Sequence, residues 1–156
     1  YRMSKKCWFD LDGTLYNLYN IPDWLDYLEN EKEGIFTKGE LMVNEEDFVG
    51  ETMRCMANGW EFGVISWLPM GASPEYEEQC RKEKMEWIKK YLPFVKEINI
   101  VPYGVPKQNC IQKKAKTMVL IDDNIEVCKA WDTSKMRKSI NVNEHFDVMA
   151  ALESLD

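Results

Sequence analysis

The stretch KKCWFDLDGTLYN, residues 5–17, sets two lysines ahead of an apolar run and ends that run with Asp10, Asp12, Gly13 and Thr14. Cys7-Trp8-Phe9 reads as a short buried strand. If the strand geometry continues, residues 10 and 12 project on the same side, because side chains alternate along a strand. Two carboxylates held that close shift each other's pKa unless a cation sits between them. Asp12-Gly13 alone is also a hairpin signal. The choice between a turn and a charged site therefore rests on the rest of the chain.

Four more runs resemble that first strand: Glu61 to Ser66, Glu97 to Val101, Thr117 to Ile121, and Ser139 to Val142. They are short and mostly apolar throughout, as expected of strands covered on both faces. Helical patterns separate them. Phe48, Val49, Met53 and Met56 recur at helical spacing and stop at Asn58-Gly59. Tyr76, Cys80, Trp87 and Tyr91 follow a Ser73-Pro74 start and end before Pro93. Pro106 is expected to open a short helix through Cys110 and Ile111. Asn124 caps the next, with Val127, Cys128 and Trp131 on its inner face. Val148, Met149, Leu152 and Leu155 complete the set. The alternation predicts an α/β fold, an open three-layer α/β/α Rossmann-like parallel sheet, in a single domain over 1–156.

The segment from about 16 to 44 breaks the rhythm. It is far longer than an ordinary βα loop, and it carries Trp24, Leu25 and Leu28 at helical spacing after Pro22-Asp23. It reads as a small helical lid, a cap inserted after the first strand.

The composition is 45% hydrophobic and 30% charged, with a net charge of -7, which suits a soluble globular protein and argues against a broad nucleic-acid footprint. RKEKMEWIKK, residues 81–90, is the one basic candidate and reads as the solvated face of a helix. No apolar run is long enough to span a bilayer, and no charged-then-apolar signal segment opens the sequence. The five cysteines (Cys7, Cys55, Cys80, Cys110, Cys128) are scattered without a C-x-x-C, so a reducing, cytoplasmic setting is expected. His145 is the single histidine, which excludes a histidine-pair metal site.

In an open parallel sheet, ligands bind beyond the carboxyl ends of the strands. There the first strand ends in Asp10-Leu11-Asp12-Gly13-Thr14, the second in Ser66, and the fourth in Asp122-Asp123-Asn124, while Lys107 precedes the fourth. Turn chemistry accounts for any one of these but not for all of them at one edge. Carboxylates, a hydroxyl and a lysine converging in this way make a site for Mg²⁺ and phosphate.

FDLDGTL, a later Ser and Lys, and IDDN resemble the haloacid dehalogenase superfamily, specifically its phosphatase branch, in motif order over nearly the whole chain. The resemblance implies a Mg²⁺-dependent phosphomonoester hydrolase. Asp10 would be the nucleophile that forms an aspartyl-phosphate, and Asp12 the general acid and then base. Ser66, Lys107 and Thr14 would hold the phosphoryl oxygens. Asp10, the Asp12 carbonyl and Asp122 would bind Mg²⁺, with Asp123 in support. The expected partner is a small phosphorylated metabolite, a nucleoside monophosphate being the favoured case, with Tyr16, Tyr19 and Trp67 as candidate substrate contacts. Trp24 is expected to anchor the lid helix. Dehalogenation is disfavoured because Asp12 occupies a position where dehalogenating members lack an acid. Three alternatives remain: a catalytically silent phosphate-binding module of the same fold, a phosphatase for a phosphorylated macromolecule, and a receiver domain. The last has its paired acids after strand one and its lysine after the final strand, an order this chain does not follow. No Gly-rich phosphate loop of the P-loop type occurs.

Overall fold

The computed structural model describes residues 4–156. Its five strands are β1 (Lys5–Phe9), β2 (Trp60–Trp67), β3 (Glu97–Val101), β4 (Thr117–Asp122) and β5 (Arg137–Asn141). They form one open sheet in the order β3-β2-β1-β4-β5, parallel at every pairing. The Asp12-Gly13 turn is therefore not a hairpin: β1 is the central strand, with β2 on one side and β4 on the other. The chain builds outward from β1 to β3, then crosses to β4. The crevice beyond the β1–β4 seam is the topological switch point, where parallel sheets place their ligands.

The helices are α1 (Trp24–Glu29), α2 (Glu45–Ala57), α3 (Pro74–Tyr91), α4 (Ile125–Trp131) and α5 (Val148–Glu153). The expected starts hold. Ser73 caps α3 by accepting from the Tyr76 N–H, and Asn124 caps α4 by accepting from the N–H groups of Glu126 and Val127. The stretch after Pro106 is shorter than its pattern suggests, a single 3-10 turn over Lys107–Asn109. So few residues cannot offset the nucleation cost of an α-helix.

Alternation along β1 divides the core between the two faces of the sheet. Cys7 and Phe9 join a large cluster with side chains of α2, α3 and α5, while Trp8 joins a smaller one with Val127 and Trp131 of α4. Phe9 stacks on Phe62 at 5.3 Å between ring centroids, and Trp8 meets Trp131 edge-on at 5.6 Å. Truncating a buried Phe of this kind to Ala costs about 3–5 kcal/mol. All five cysteines are free, and all but Cys110 are buried.

Within the segment after β1, Tyr16, Leu18, Ile35 and Phe36 are buried in the main core, whereas α1 has no buried residue. One expectation needs correction: 81–90 is not a uniformly solvated face. Glu83 and Lys84 lie on the buried side of α3 with Tyr76, Cys80, Trp87 and Ile88. Position 84 is four residues after Cys80 and three before Trp87, so helical periodicity carries it inward. Among the described residues no helix is long and apolar enough to cross a membrane.

Candidate active site

Parallel pairing sets the motif residues side by side. Phe9 is in register with Val64 and Ile121, and the Asp10 N–H donates to the Ile121 carbonyl at 3.0 Å. Asp10 thus leaves β1 beside Asp122 at the end of β4, with Ser66 near the end of β2. Gly13 follows at φ 80°, and a Cβ there would collide with Asp123 Oδ2 and the Tyr19 ring. A glycine is required where the β1 loop passes this close to the β4 loop.

Lys107 is the buried cation between the carboxylates. Its Nζ donates to Asp10 Oδ1 at 2.8 Å and to Asp122 Oδ2 at 2.7 Å. Carboxylate oxygens of Asp10, Asp122 and Asp123 lie within 4.8 Å of one another. One ammonium cannot offset three carboxylates, and the titration behaviour follows. Burial opposes ionisation of Asp10, but Lys107, the hydrogen bond with Asp123 and the charge on Lys84 together outweigh it and hold the carboxyl below its ordinary value. Asp122 is pushed up to about 7 and Asp123 to about 8, each by burial first and then by the charge on Asp10. The three titrate as a unit in which excess negative charge is relieved by protons. A divalent cation would relieve it as well, and the oxygen-only donor set suits Mg²⁺.

Thr14 is buried within this unit. Its Oγ1 lies 3.1 Å from both Asp10 Oδ2 and Asp123 Oδ1, and it accepts from the Asp123 N–H. One hydroxyl proton cannot serve both carboxylates at once. Thr14, expected to touch phosphate, lies between Asp10 and Asp123.

Asp12 has a different environment. Its Oδ2 accepts from Lys84 Nζ at 2.8 Å, while Oδ1 is buried with no hydrogen-bond partner among the described residues. Burial raises its pKa more than Lys84 lowers it, leaving a carboxyl that holds a proton more readily than usual. Lys84 also donates to Ser66 Oγ and to the Trp67 carbonyl, both at 2.7 Å. Lys84 was hidden in the sequence by its charged neighbours; the signal was a lysine in register with an apolar stripe.

Asp10, Asp12, Lys107, Asp122 and Asp123 line a cavity of about 470 Å³ whose walls include Leu18, Tyr19, Trp24, Leu28, Phe36 and Trp67. Tyr19 and Trp24 meet edge-to-face at 4.9 Å, so Trp24 forms part of the wall besides packing on the core. Trp67 leans on Tyr103, and Lys107 Nζ lies over its ring at 5.4 Å. Tyr16 points elsewhere. It is 2% exposed, its hydroxyl donates to the Ile35 carbonyl and accepts from the Gly39 N–H, and its ring packs on Trp87. Closeness in sequence to Asp12 did not give it a place in the cavity, because its side chain turns into the core. Ser66 is fully buried next to Lys84. His145 is exposed and lies outside this group.

No protein-family model matches this chain, and no curated protein matches it.

Proposed function

We propose that this protein is a Mg²⁺-dependent phosphomonoester hydrolase acting through an aspartyl-phosphate on Asp10, a fold and chemistry resembling the haloacid dehalogenase phosphatases with a small cap over residues 16–44. The observation that carries the reading is the division of labour between Asp10 and Asp12. One carboxylate accepts from Lys107, which together with Asp123 and Lys84 favours its ionised form, as a nucleophile requires. The other, two residues on, is biased toward protonation and lines the same cavity, as a general acid must be.

In the first step an Asp10 oxygen bonds to phosphorus while the ester P–O bond breaks, and Asp12 passes its proton to the departing oxygen. In the second, Asp12 takes a proton from water as the water oxygen bonds to phosphorus and the Asp10–phosphorus bond breaks, releasing inorganic phosphate. Lys107 balances negative charge at the reacting end throughout. Ser66 is a candidate donor to a phosphoryl oxygen, and Thr14 keeps the Asp10 carboxylate in place. Asp10, Asp122 and Asp123, with the Asp12 carbonyl, would hold Mg²⁺, which when bound supplies positive charge for the phosphoryl oxygens.

The cavity supports a small substrate with one phosphate and an uncharged, flat remainder. Among the described residues Lys107 is the one cation in its lining, which is otherwise mostly aromatic, aliphatic or acidic, with Glu29 in the wall. A nucleoside monophosphate meets that description. The test is a screen of phosphomonoesters with Mg²⁺, including nucleoside 5′- and 3′-monophosphates, p-nitrophenyl phosphate and phosphopeptides. Turnover of a nucleotide that Asp10→Asn abolishes is the expected result. No turnover of any phosphomonoester would return the protein to a silent binding module, and turnover of phosphopeptides alone would redirect it to macromolecules.

A further inference from the structure

Lys84 is 1% exposed, and a buried ammonium is costly unless every donor is used. Here all three are: Asp12 Oδ2 at 2.8 Å, Ser66 Oγ at 2.7 Å and the Trp67 carbonyl at 2.7 Å. The Phe36 ring covers the ammonium at 4.5 Å from its centroid. We infer that Lys84, reaching in from the middle of α3, is a positioning residue that sets both the acid Asp12 and the hydroxyl of Ser66. The inference rests on the phosphatase reading above.

The pattern of bonds distinguishes this from an ordinary buried ion pair. A purely structural pair is expected to satisfy both carboxylate oxygens, since an unmet buried acceptor costs about 1–3 kcal/mol. Lys84 takes one oxygen of Asp12, and the other has no partner among the described residues. Among the described residues Lys84 is thus the one side chain that fixes how the Asp12 carboxyl is turned. At Ser66 the logic is parallel. Its oxygen accepts from Lys84, so its own proton must be directed elsewhere and the serine is fixed as a donor.

The neighbouring residue ties the covering loop to the same helical turn. Glu83 accepts from the backbone N–H groups of Gly34 at 2.9 Å and Phe36 at 3.0 Å, and Gln79 donates to it at 2.7 Å. Glu83 thus holds the loop whose Phe36 seals Lys84 from water, while Lys84 holds the acid. Two consecutive residues link the cap segment to the proton-transfer group.

Lys84→Met and Lys84→Arg should be compared on p-nitrophenyl phosphate and on an alkyl phosphate, whose leaving group needs a proton. Misplacing a catalytic group by about 1 Å can cost roughly 100-fold. Lys84→Met should therefore lose about that much kcat on the alkyl ester and less than about tenfold on the aryl ester, with Lys84→Arg recovering part of the alkyl rate. Equal losses on both esters would overturn the inference. The double variant Asp12→Asn/Lys84→Met removes both charges and guards against a misfolded single variant. If Lys84 acts on the alkyl ester through Asp12, the double variant should be slower than Asp12→Asn alone by no more than the loss that Lys84→Met shows on the aryl ester, which is the share carried by Ser66. A multiplicative further loss would overturn the role while leaving wild-type hydrolysis intact. Wild-type protein that hydrolyses neither ester would overturn both this and the phosphatase reading.

Discussion

Asp10 and Asp122 end adjacent parallel strands and share one ammonium, with Lys107 Nζ 2.8 Å from an oxygen of the first and 2.7 Å from an oxygen of the second. The sharing is unequal. Burial opposes the charge on both, yet Lys107, with Asp123 and Lys84, holds Asp10 below its ordinary pKa, whereas Asp122 rises to about 7. The site favours an ionised Asp10 at the expense of repulsion around it.

Asp10→Asn should lower Mg²⁺-dependent phosphomonoesterase activity by at least about a thousandfold, as removal of a covalent nucleophile does. Stability should not suffer. The neutral amide at position 10 would no longer repel Asp122 and Asp123, and Lys107 would keep Asp122. Thermal unfolding without metal should stay nearly level, relief of that repulsion offsetting the lost attraction between Lys107 and Asp10. Wild-type turnover in this variant would remove Asp10 from the chemistry.

Asp12→Asn should divide substrates by leaving group. General acid catalysis is worth about 10²–10⁴-fold where the departing oxygen needs a proton. Alkyl phosphates should lose rate within that range, and p-nitrophenyl phosphate far less. Parallel losses would deny Asp12 the proton-transfer role.

The acidic unit predicts an inverse dependence of metal-free stability on pH. Asp122 and Asp123 have folded pKa values of about 7 and 8, above the ordinary 3.8. Between those limits the folded state binds more protons than the unfolded state, so unfolding free energy falls as pH rises through 7 and 8. Asp10 contributes the opposite sign, but only around and below its ordinary value, so it does not offset the trend at neutral pH. Melting temperature in chelator should fall from about pH 5 to about pH 8.5, and Mg²⁺ should flatten the curve by replacing protons. A flat curve in chelator would mean that the repulsion is relieved elsewhere. Asp122→Ala should shift the Mg²⁺ titration to higher concentration.

How far the sequence disclosed this arrangement depended on whether the signal was local. The strands were legible because buried parallel strands are short apolar runs, and their carboxyl ends share one edge by topology. That is why Asp10, Asp122 and Lys107 could be grouped before any distance was known. Side-chain direction was not legible. Tyr16 and Tyr19 are three residues apart, yet one is consumed by Ile35, Gly39 and Trp87 while the other lines the cavity. Lys84 was obscured because charge density along α3 outweighed its helical register, and its partner Asp12 is 72 residues distant. Thr14 stood in the motif, but its use as a brace between Asp10 and Asp123 depends on the β4 loop coming close.

The walls of the cavity carry the prediction about substrate. Tyr19 and Trp24 form one aromatic pair, Trp67 and Tyr103 another, and all four line the space beyond the reactive carboxylates. Trp67 is braced by its indole donating to the Val105 carbonyl at 2.8 Å, whereas Tyr19 is 53% exposed and can adjust to a ligand. Replacing the whole 16–44 segment would remove core residues, so the informative change is Tyr19→Ala, with Trp67→Ala as its companion. Base–aromatic stacking is worth about 1–3 kcal/mol, so kcat/KM for a nucleoside monophosphate should fall roughly 5- to 150-fold. A small alkyl phosphate, with nothing to stack, should change by less than about threefold on the same scale. Nucleoside diphosphates should be poor substrates for the wild type, because a second phosphate would find Glu29 and apolar side chains where it needs a cation. Parallel losses for the nucleotide and the alkyl ester would reduce the aromatic wall to a barrier against water. Efficient diphosphate hydrolysis would show that charge in the wall does not select the substrate.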